Sequence, residues 1–157
     1  MTFKKRFVLI AAGFAATLAL AVLPLVTCAT TPRDTAEYTL VLLHTNDHHG
    51  TLLPNNGKGG LAQDAAFIKS VRDEYPYVLL VDAGDINTGS ALSNMFNAEP
   101  DIMAYNMMGY DAAVFGNHEF DKPLSVLLEQ IELAEFPFVS SNIKKDGKFL
   151  GGHQYLS

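Results

Sequence analysis

Tryptophan is absent from this chain, and cysteine occurs once, at position 28. A lone cysteine excludes an intramolecular disulfide, so packing and hydrogen bonds must carry the fold. Basic residues are scarce: 11 Lys and Arg stand against 17 Asp and Glu, a formal net charge of −6. Lys4, Lys5 and Arg6 lie at the extreme N-terminus, so residues 29–157 keep only 8 basic residues with all 17 acidic ones, a charge of −9. A protein that binds nucleic-acid polymers presents a basic face, and none is visible here. The acidity still permits a phosphorylated substrate, because bound divalent cations invert the local field. Internal repeats are also lacking, and 157 residues give room for one domain or for a piece of a larger one.

The long apolar run is confined to the N-terminus. Phe7 to Val26 contains no charged residue and follows Lys4-Lys5-Arg6. A basic start, an apolar stretch and the small residues after it describe an export signal, here residues 1–28. The run is also long enough to span a bilayer as an uncleaved anchor, but Pro24 and the small polar stretch Thr27 to Thr31 favour processing. Leu25-Val26-Thr27-Cys28 resembles a bacterial lipobox, with Thr27 where Gly or Ala is usual. Two readings stay open: lipidation at Cys28, giving a membrane-tethered product, or conventional cleavage near Ala29. Either places the protein outside the cytoplasm, in the periplasm, cell envelope or cell surface. Residues 29–37 are small and polar and read as a tether.

From residue 38 the chain alternates strand-like and helix-like segments. Tyr38 to Leu43 and Tyr77 to Val81 are near-continuous apolar runs, as in strands covered on both faces. Ala112 to Phe115 and Phe136 to Ser140 are shorter candidates. Between them, Leu61 to Tyr75 carries apolar residues at helical spacing (Leu61, Ala65, Ile68, Val71, Tyr75) and ends at Pro76. Helices are also expected over Ser90 to Asn97, over Pro100 to Met108 with Gly109 as its stop, and over Pro123 to Glu135. This order predicts βαβ units, an α/β class and a largely parallel sheet. Ligands in such sheets bind beyond the carboxyl ends of the strands.

Three polar clusters follow those ends: Asp47-His48-His49-Gly50, Gly84-Asp85, and Gly116-Asn117-His118-Glu119-Phe120-Asp121. If the first segment is extended, Asp47 and His49 point to one side and can share a divalent ion, with His48 turned away to pack. Asp85 has two oxygens with which to bridge a pair of ions, and Asn117 offers a neutral amide oxygen. Two ions about 4 Å apart can clamp a phosphoryl group and activate a water. His118 and Asp121 form a second pair, the carboxylate orienting a ring that neutralises or protonates the departing oxygen. Asp82 reads as a supporting carboxylate at a strand end, His44 as a hydrogen-bonded core histidine, and Glu119 as a residue with local partners. Met103, Met107 and Met108, at helical spacing, read as core fillers.

The segments Leu43 to Gly50, Gly84 to Gly89 and Gly116 to Asp121 resemble the first three motifs of the calcineurin-like metallophosphoesterases. Within that superfamily they are most similar to the bacterial 5'-nucleotidase/UDP-sugar hydrolase family. Gly59 to Ala62 and Tyr105 to Asp111 resemble its connecting segments, so the likeness covers most of residues 38–145. It implies the N-terminal portion of a four-layer α/β sandwich. It implies two divalent ions of the Zn, Mn, Co or Mg type, with Asp47 and His49 on one, Asp85 bridging, and Asn117 on the second. His118 and Asp121 match the catalytic dyad. The implied reaction is hydrolysis of a nucleotide (a nucleoside 5'-monophosphate, UDP-sugar or cyclic nucleotide) by metal-activated water, without a covalent intermediate. Two further histidine motifs and a C-terminal substrate domain belong to the family pattern. Residues 38–157 are therefore expected to be a partial domain that hydrolyses nucleotides poorly alone; the alternative is a catalytically inactive remnant in the envelope. His153-Gln154 superficially resembles the last motif but follows the third too closely and is expected to be a surface pair.

Overall fold

The computed structural model describes residues 37–151. The expected export signal with Cys28, the expected tether apart from Glu37, and His153 lie outside the described residues. Three parallel strands form the sheet, in the order β1 (Val41–Thr45), β2 (Val78–Asp82), β3 (Ala112–Ala113). Helix α1 (Leu61–Glu74) joins β1 to β2, and α2 (Ala91–Met95) and α3 (Glu99–Met108) join β2 to β3. Beyond β3 a 3-10 turn at His118–Phe120 leads to α4 (Leu124–Leu133). The mixed α/β class and the parallel sheet are as the alternating pattern predicts.

Local chemistry sets most of the boundaries. α1 ends at Tyr75, already extended, because Pro76 disfavours helical backbone in the residue before it. Ser90 caps α2, its hydroxyl accepting the Ser93 N–H at 3.1 Å. Pro100 sits in the first turn of α3, where its missing N–H costs nothing. Gly109 closes α3 in the left-handed conformation, φ 68°, donating its N–H to the Tyr105 carbonyl at 3.0 Å.

The structure differs from the sequence expectations in five places. The fourth strand is only a parallel bridge between Ala113 and Phe138. Pro137 has no N–H to extend the ladder, which is limited to Ala113 N–H to Pro137 O and Val139 N–H to Ala113 O. The sheet is covered on one face, not two: Leu43 and Leu80 pack into the core, while Leu42 and Leu79, paired across the strands, are exposed. His44 lies on that same exposed face, so it is not a core histidine. Met108 is buried, but Met103 and Met107 face outward. A hairpin unforeseen in the sequence, β4 (Lys144–Lys145) with β5 (Lys148–Phe149), turns through Asp146-Gly147, both at positive φ.

The core lies between the covered sheet face and the helices. Leu61 and Ile68 of α1, Ile102, Tyr105 and Met108 of α3, and Phe136 and Phe138 meet there. Tyr105 stacks on Tyr110 at 4.1 Å between ring centroids, and Phe115 on Phe138 at 5.0 Å. Each such side chain removed from water contributes about 1.5–3 kcal/mol. On α4, Leu127 is buried and Ile131 packs against the core, whereas Leu124 and Leu128 of the expected apolar face remain half exposed. No helix among the described residues is long and apolar enough to cross a membrane.

Candidate metal centre

The parallel register brings the three carboxyl ends of the strands to one edge, Thr45 opposite Asp82 and Asp82 opposite Ala113. Hydrogen bonding does not stop where the strands stop. Asp47 N–H donates to Gly84 O, His49 N–H to Asp85 O and Gly50 N–H to Ile86 O, all at 2.9–3.0 Å. The first two motif loops therefore run side by side. The third is tied in by the His118 N–H, which donates to Asp85 Oδ1 at 2.8 Å.

This backbone is not extended. Asp47 (φ 52°), His49 (φ 49°), Asp85 (φ 59°) and Thr88 (φ 63°) all adopt the left-handed region. Asp and His tolerate it, but for β-branched Thr88 it is an outlier, and such outliers cluster at functional sites. The alternation argument for Asp47 and His49 thus fails in its detail. The two side chains nonetheless meet, with His49 Nε2 3.6 Å from Asp47 Oδ1, through turns and not through the pleat of a strand.

His49, Asp85 and His118 each bring a ligand atom to within 4.8 Å of the other two. His49 Nδ1 lies 3.1 Å from the Thr88 carbonyl, which can only accept, so Nδ1 carries the proton and Nε2 is left with its lone pair. An imidazole fixed this way by its second nitrogen is the usual arrangement for a metal ligand. Mixed nitrogen and carboxylate donors at this spacing suit a divalent transition ion. With Asp47 Oδ1 3.6 Å from His49 Nε2, the donors of Asp47, His49 and Asp85 fit the expected cofactor.

His118 differs from His49 in its partner. Its Nδ1 is 2.7 Å from Asp121 Oδ2, and its ring meets the His49 ring edge-on at 4.8 Å. The hydrogen bond to Asp121 raises the His118 pKa above its ordinary value, and the same bond lowers that of Asp121. A ligand must be neutral, whereas this pairing favours an imidazolium, so its electrostatics suit a proton donor. Asn117 is exposed and makes no side-chain hydrogen bond among the described residues; only its carbonyl is engaged, by the Phe120 N–H at 3.2 Å.

Several supporting residues appear around these. Asp82 is buried and accepts from Thr45 Oγ1 (2.5 Å), Gly84 N–H (2.8 Å) and Tyr105 OH (3.1 Å), as befits a strand-end brace. His48 is packed inward against Tyr105, as expected of it. Glu119 corrects the reading of a locally bonded residue. It is buried, and its carboxylate accepts N–H groups more than 30 residues away, at Asp85, Ile86 and Asn87, besides that of Gly116. Position in the third motif was the only signal for it. Beside His49, a depression of about 560 Å³ opens between Gly50 to Leu53 and Gly89 to Leu92.

Residues 40–155 match the sequence profile of the calcineurin-like phosphoesterases. The chain belongs to the calcineurin-like phosphoesterase family. A 5'-nucleotidase from Vibrio vulnificus is 45% identical over 156 residues, an alignment covering 92% of this chain and 28% of the relative. Protein UshA from Salmonella pullorum is 44% identical over 135 residues, covering 80% of this chain and 24% of that protein. The structure of Haemophilus influenzae NAD nucleotidase superposes with a TM-score of 0.61 at 32% identity, over 66% of this chain and 20% of that one. This calcineurin-like phosphoesterase chain therefore spans about a quarter of the length of the curated relatives it matches.

Proposed function

We propose that this chain carries metal-binding and proton-donating residues of the metal-dependent hydrolytic site of a 5'-nucleotidase-like enzyme, acting on a nucleotide phosphate ester. The observation that carries the reading is the meeting of His49, Asp85 and His118 from three separate loops within 4.8 Å. The names of the relatives, 5'-nucleotidase and NAD nucleotidase, point to nucleotides as the substrate class. In this reading Asp47, His49 and Asp85 hold one divalent ion, and Asp85 with Asn117 contributes to a second. Such ions supply Lewis acidity and a lowered pKa for a water.

The chain's own residues account for the remaining chemistry. Water oxygen adds to phosphorus while the P–O bond to the nucleoside breaks, and the leaving oxygen takes a proton from His118 Nε2. Asp121 holds the His118 ring through Nδ1, and that hydrogen bond raises the His118 pKa and so favours the protonated ring. Thr88, through its carbonyl, holds His49 in the tautomer that presents Nε2. Residues 1–28 serve as the export signal, with lipidation at Cys28 or cleavage near Ala29 deciding between a tethered and a free product; a Cys28→Ser variant that leaves the membrane fraction would identify the first.

Release of product (phosphate from AMP, UMP and glucose 1-phosphate from UDP-glucose, a nucleoside monophosphate from a cyclic nucleotide), measured with and without chelator, tests the reading. Weak release that stops on chelation, returns with Mn or Zn, and is lost in His118→Asn is the expected result. Release indifferent to chelator would overturn it.

A further inference from the structure

Asp85 stands at the centre of the three loops, yet its backbone is held in the left-handed region at φ 59°. The N–H groups of Asp85, Ile86 and Asn87 all donate to the Glu119 carboxylate and not to a carbonyl of the sheet. Glu119 Oε2 accepts from Asp85 N–H at 2.9 Å and from Gly116 N–H at 2.6 Å. Its Oε1 accepts from Ile86 N–H at 2.9 Å and Asn87 N–H at 3.3 Å. Each carboxylate oxygen thus receives two donors, and one buried side chain gathers four backbone groups from two loops.

Gly116 shows how close that gathering is. A Cβ there would overlap the Asp85 carboxylate, and a Cβ at Gly84 would overlap the Gly116 backbone. Loops this near cannot adjust independently. Shifting the Asp85 backbone would move the carboxylate that accepts the His118 N–H and that lies among the candidate ligand atoms.

We propose that Glu119 is a positioning residue of the metal centre, its carboxylate setting the Asp85 and Gly116 backbones so that Asp85 and His118 meet His49. The proposal rests on the reading of these residues as a metal site. Glu119 touches no candidate ligand atom, so it acts only through Asp85 and Gly116. A glutamine is the informative replacement. It keeps one acceptor oxygen but turns an NH₂ group toward two backbone donors, leaving them buried and unpaired. An aspartate keeps the charge but is one methylene short of spanning all four donors.

The test is Mn(II) binding to the full chain, followed by the electron-resonance signal of the free ion, for wild type, Glu119→Gln, Glu119→Asp and Ile68→Ala. Ile68 is a core residue of α1 that takes no part in the hydrogen bonds among the loops, and its variant reports loss of stability. Glu119→Gln should weaken Mn(II) binding by about 10- to 100-fold, as loss of an orienting partner does. Glu119→Asp should fall between it and wild type, and Ile68→Ala should bind as wild type does. Equal binding by folded Glu119→Gln and wild type would overturn the proposal, as would equal weakening by Ile68→Ala. Hydrogen exchange on wild type gives a second measure should Glu119→Gln fail to fold. The amides of Asp85, Ile86 and Gly116 should be among the slowest in the loops, and fast exchange there would also overturn it. Absence of Mn(II) binding in wild type itself would instead refute the metal-site reading.

Discussion

Asp101→Asn should make the chain more stable at neutral pH, by an amount that the burial of this carboxyl sets. Asp101 lies in the first turn of α3 and is wholly buried, and hydrogen bonding from the equally buried Ser93 hydroxyl offsets that burial only in part. Burial pushes its pKa from 3.8 up to about 6. His48 is the nearest base, but its Nδ1 is 3.7 Å away, too far for a hydrogen bond, and burial lowers its pKa, keeping it neutral. For an acid whose folded pKa is raised, the penalty is absent below the unfolded value. It grows between about pH 4 and 6 and is complete above that. A shift of about two units corresponds to about 3 kcal/mol. Asparagine removes the charge at nearly the same volume but keeps a buried amide to satisfy, so a net gain of about 1–3 kcal/mol is expected at pH 7.5. Urea unfolding of both proteins at pH 7.5, 5.5 and 4 measures it, and the gain should vanish at pH 4. A variant less stable than wild type at pH 7.5, and no worse at pH 4, would refute the reasoning. It would show that Asp101 is the counter-ion of a protonated His48, since removing one partner of a buried pair is costly.

Asp121→Asn should return the His118 pKa toward its ordinary value, because the Asp121 hydrogen bond is the main cause of its rise. Hydrolysis requiring protonated His118 falls as pH rises through that pKa, so in pH–rate profiles the alkaline limb of the variant should begin at lower pH. The stability from this pair is present below the ordinary histidine pKa and is lost as pH rises through the raised one. Gly116→Ala should cost about 1–3 kcal/mol of stability in thermal unfolding. It should also weaken metal binding more than tenfold, since the new methyl group occupies the place of the Asp85 carboxylate. Leu127→Ala, in the buried row of α4, should cost about 2–5 kcal/mol in urea unfolding without changing metal affinity per folded molecule.

The sequence announced those parts of the fold whose causes are local. The apolar runs of β1 and β2, Pro76 after α1, and Gly109 after α3 all act within a few residues, and the structure places those elements within one to three residues of the expected bounds. Parallel pairing followed from the alternation of elements, and it carried the three polar clusters to one edge. What was not legible depends on distant partners. Glu119 reads as a local residue until the loop of Asp85 is folded over it. Asp47 and His49 meet through left-handed turns, which a rule for extended backbone cannot anticipate. Leu42, Leu79 and Met107 are apolar and well placed for burial, but hydrophobicity does not say which faces will be covered. The Asp146-Gly147 turn was readable as a hairpin signal between short segments, though the flanking lysines lack the apolar alternation that marks strands.

Cobalt(II) titration of the full chain, read by its visible absorption, tests the central claim most directly, because the absorption reports nitrogen and carboxylate donors around the ion. Saturable binding is predicted for wild type and for His44→Ala, whose side chain lies on the exposed sheet face. Binding should be lost in Asp85→Ala and in His49→Ala, the two residues that meet at the shared edge of the strands. Cobalt bound by Asp85→Ala with the affinity and spectrum of wild type would contradict the account.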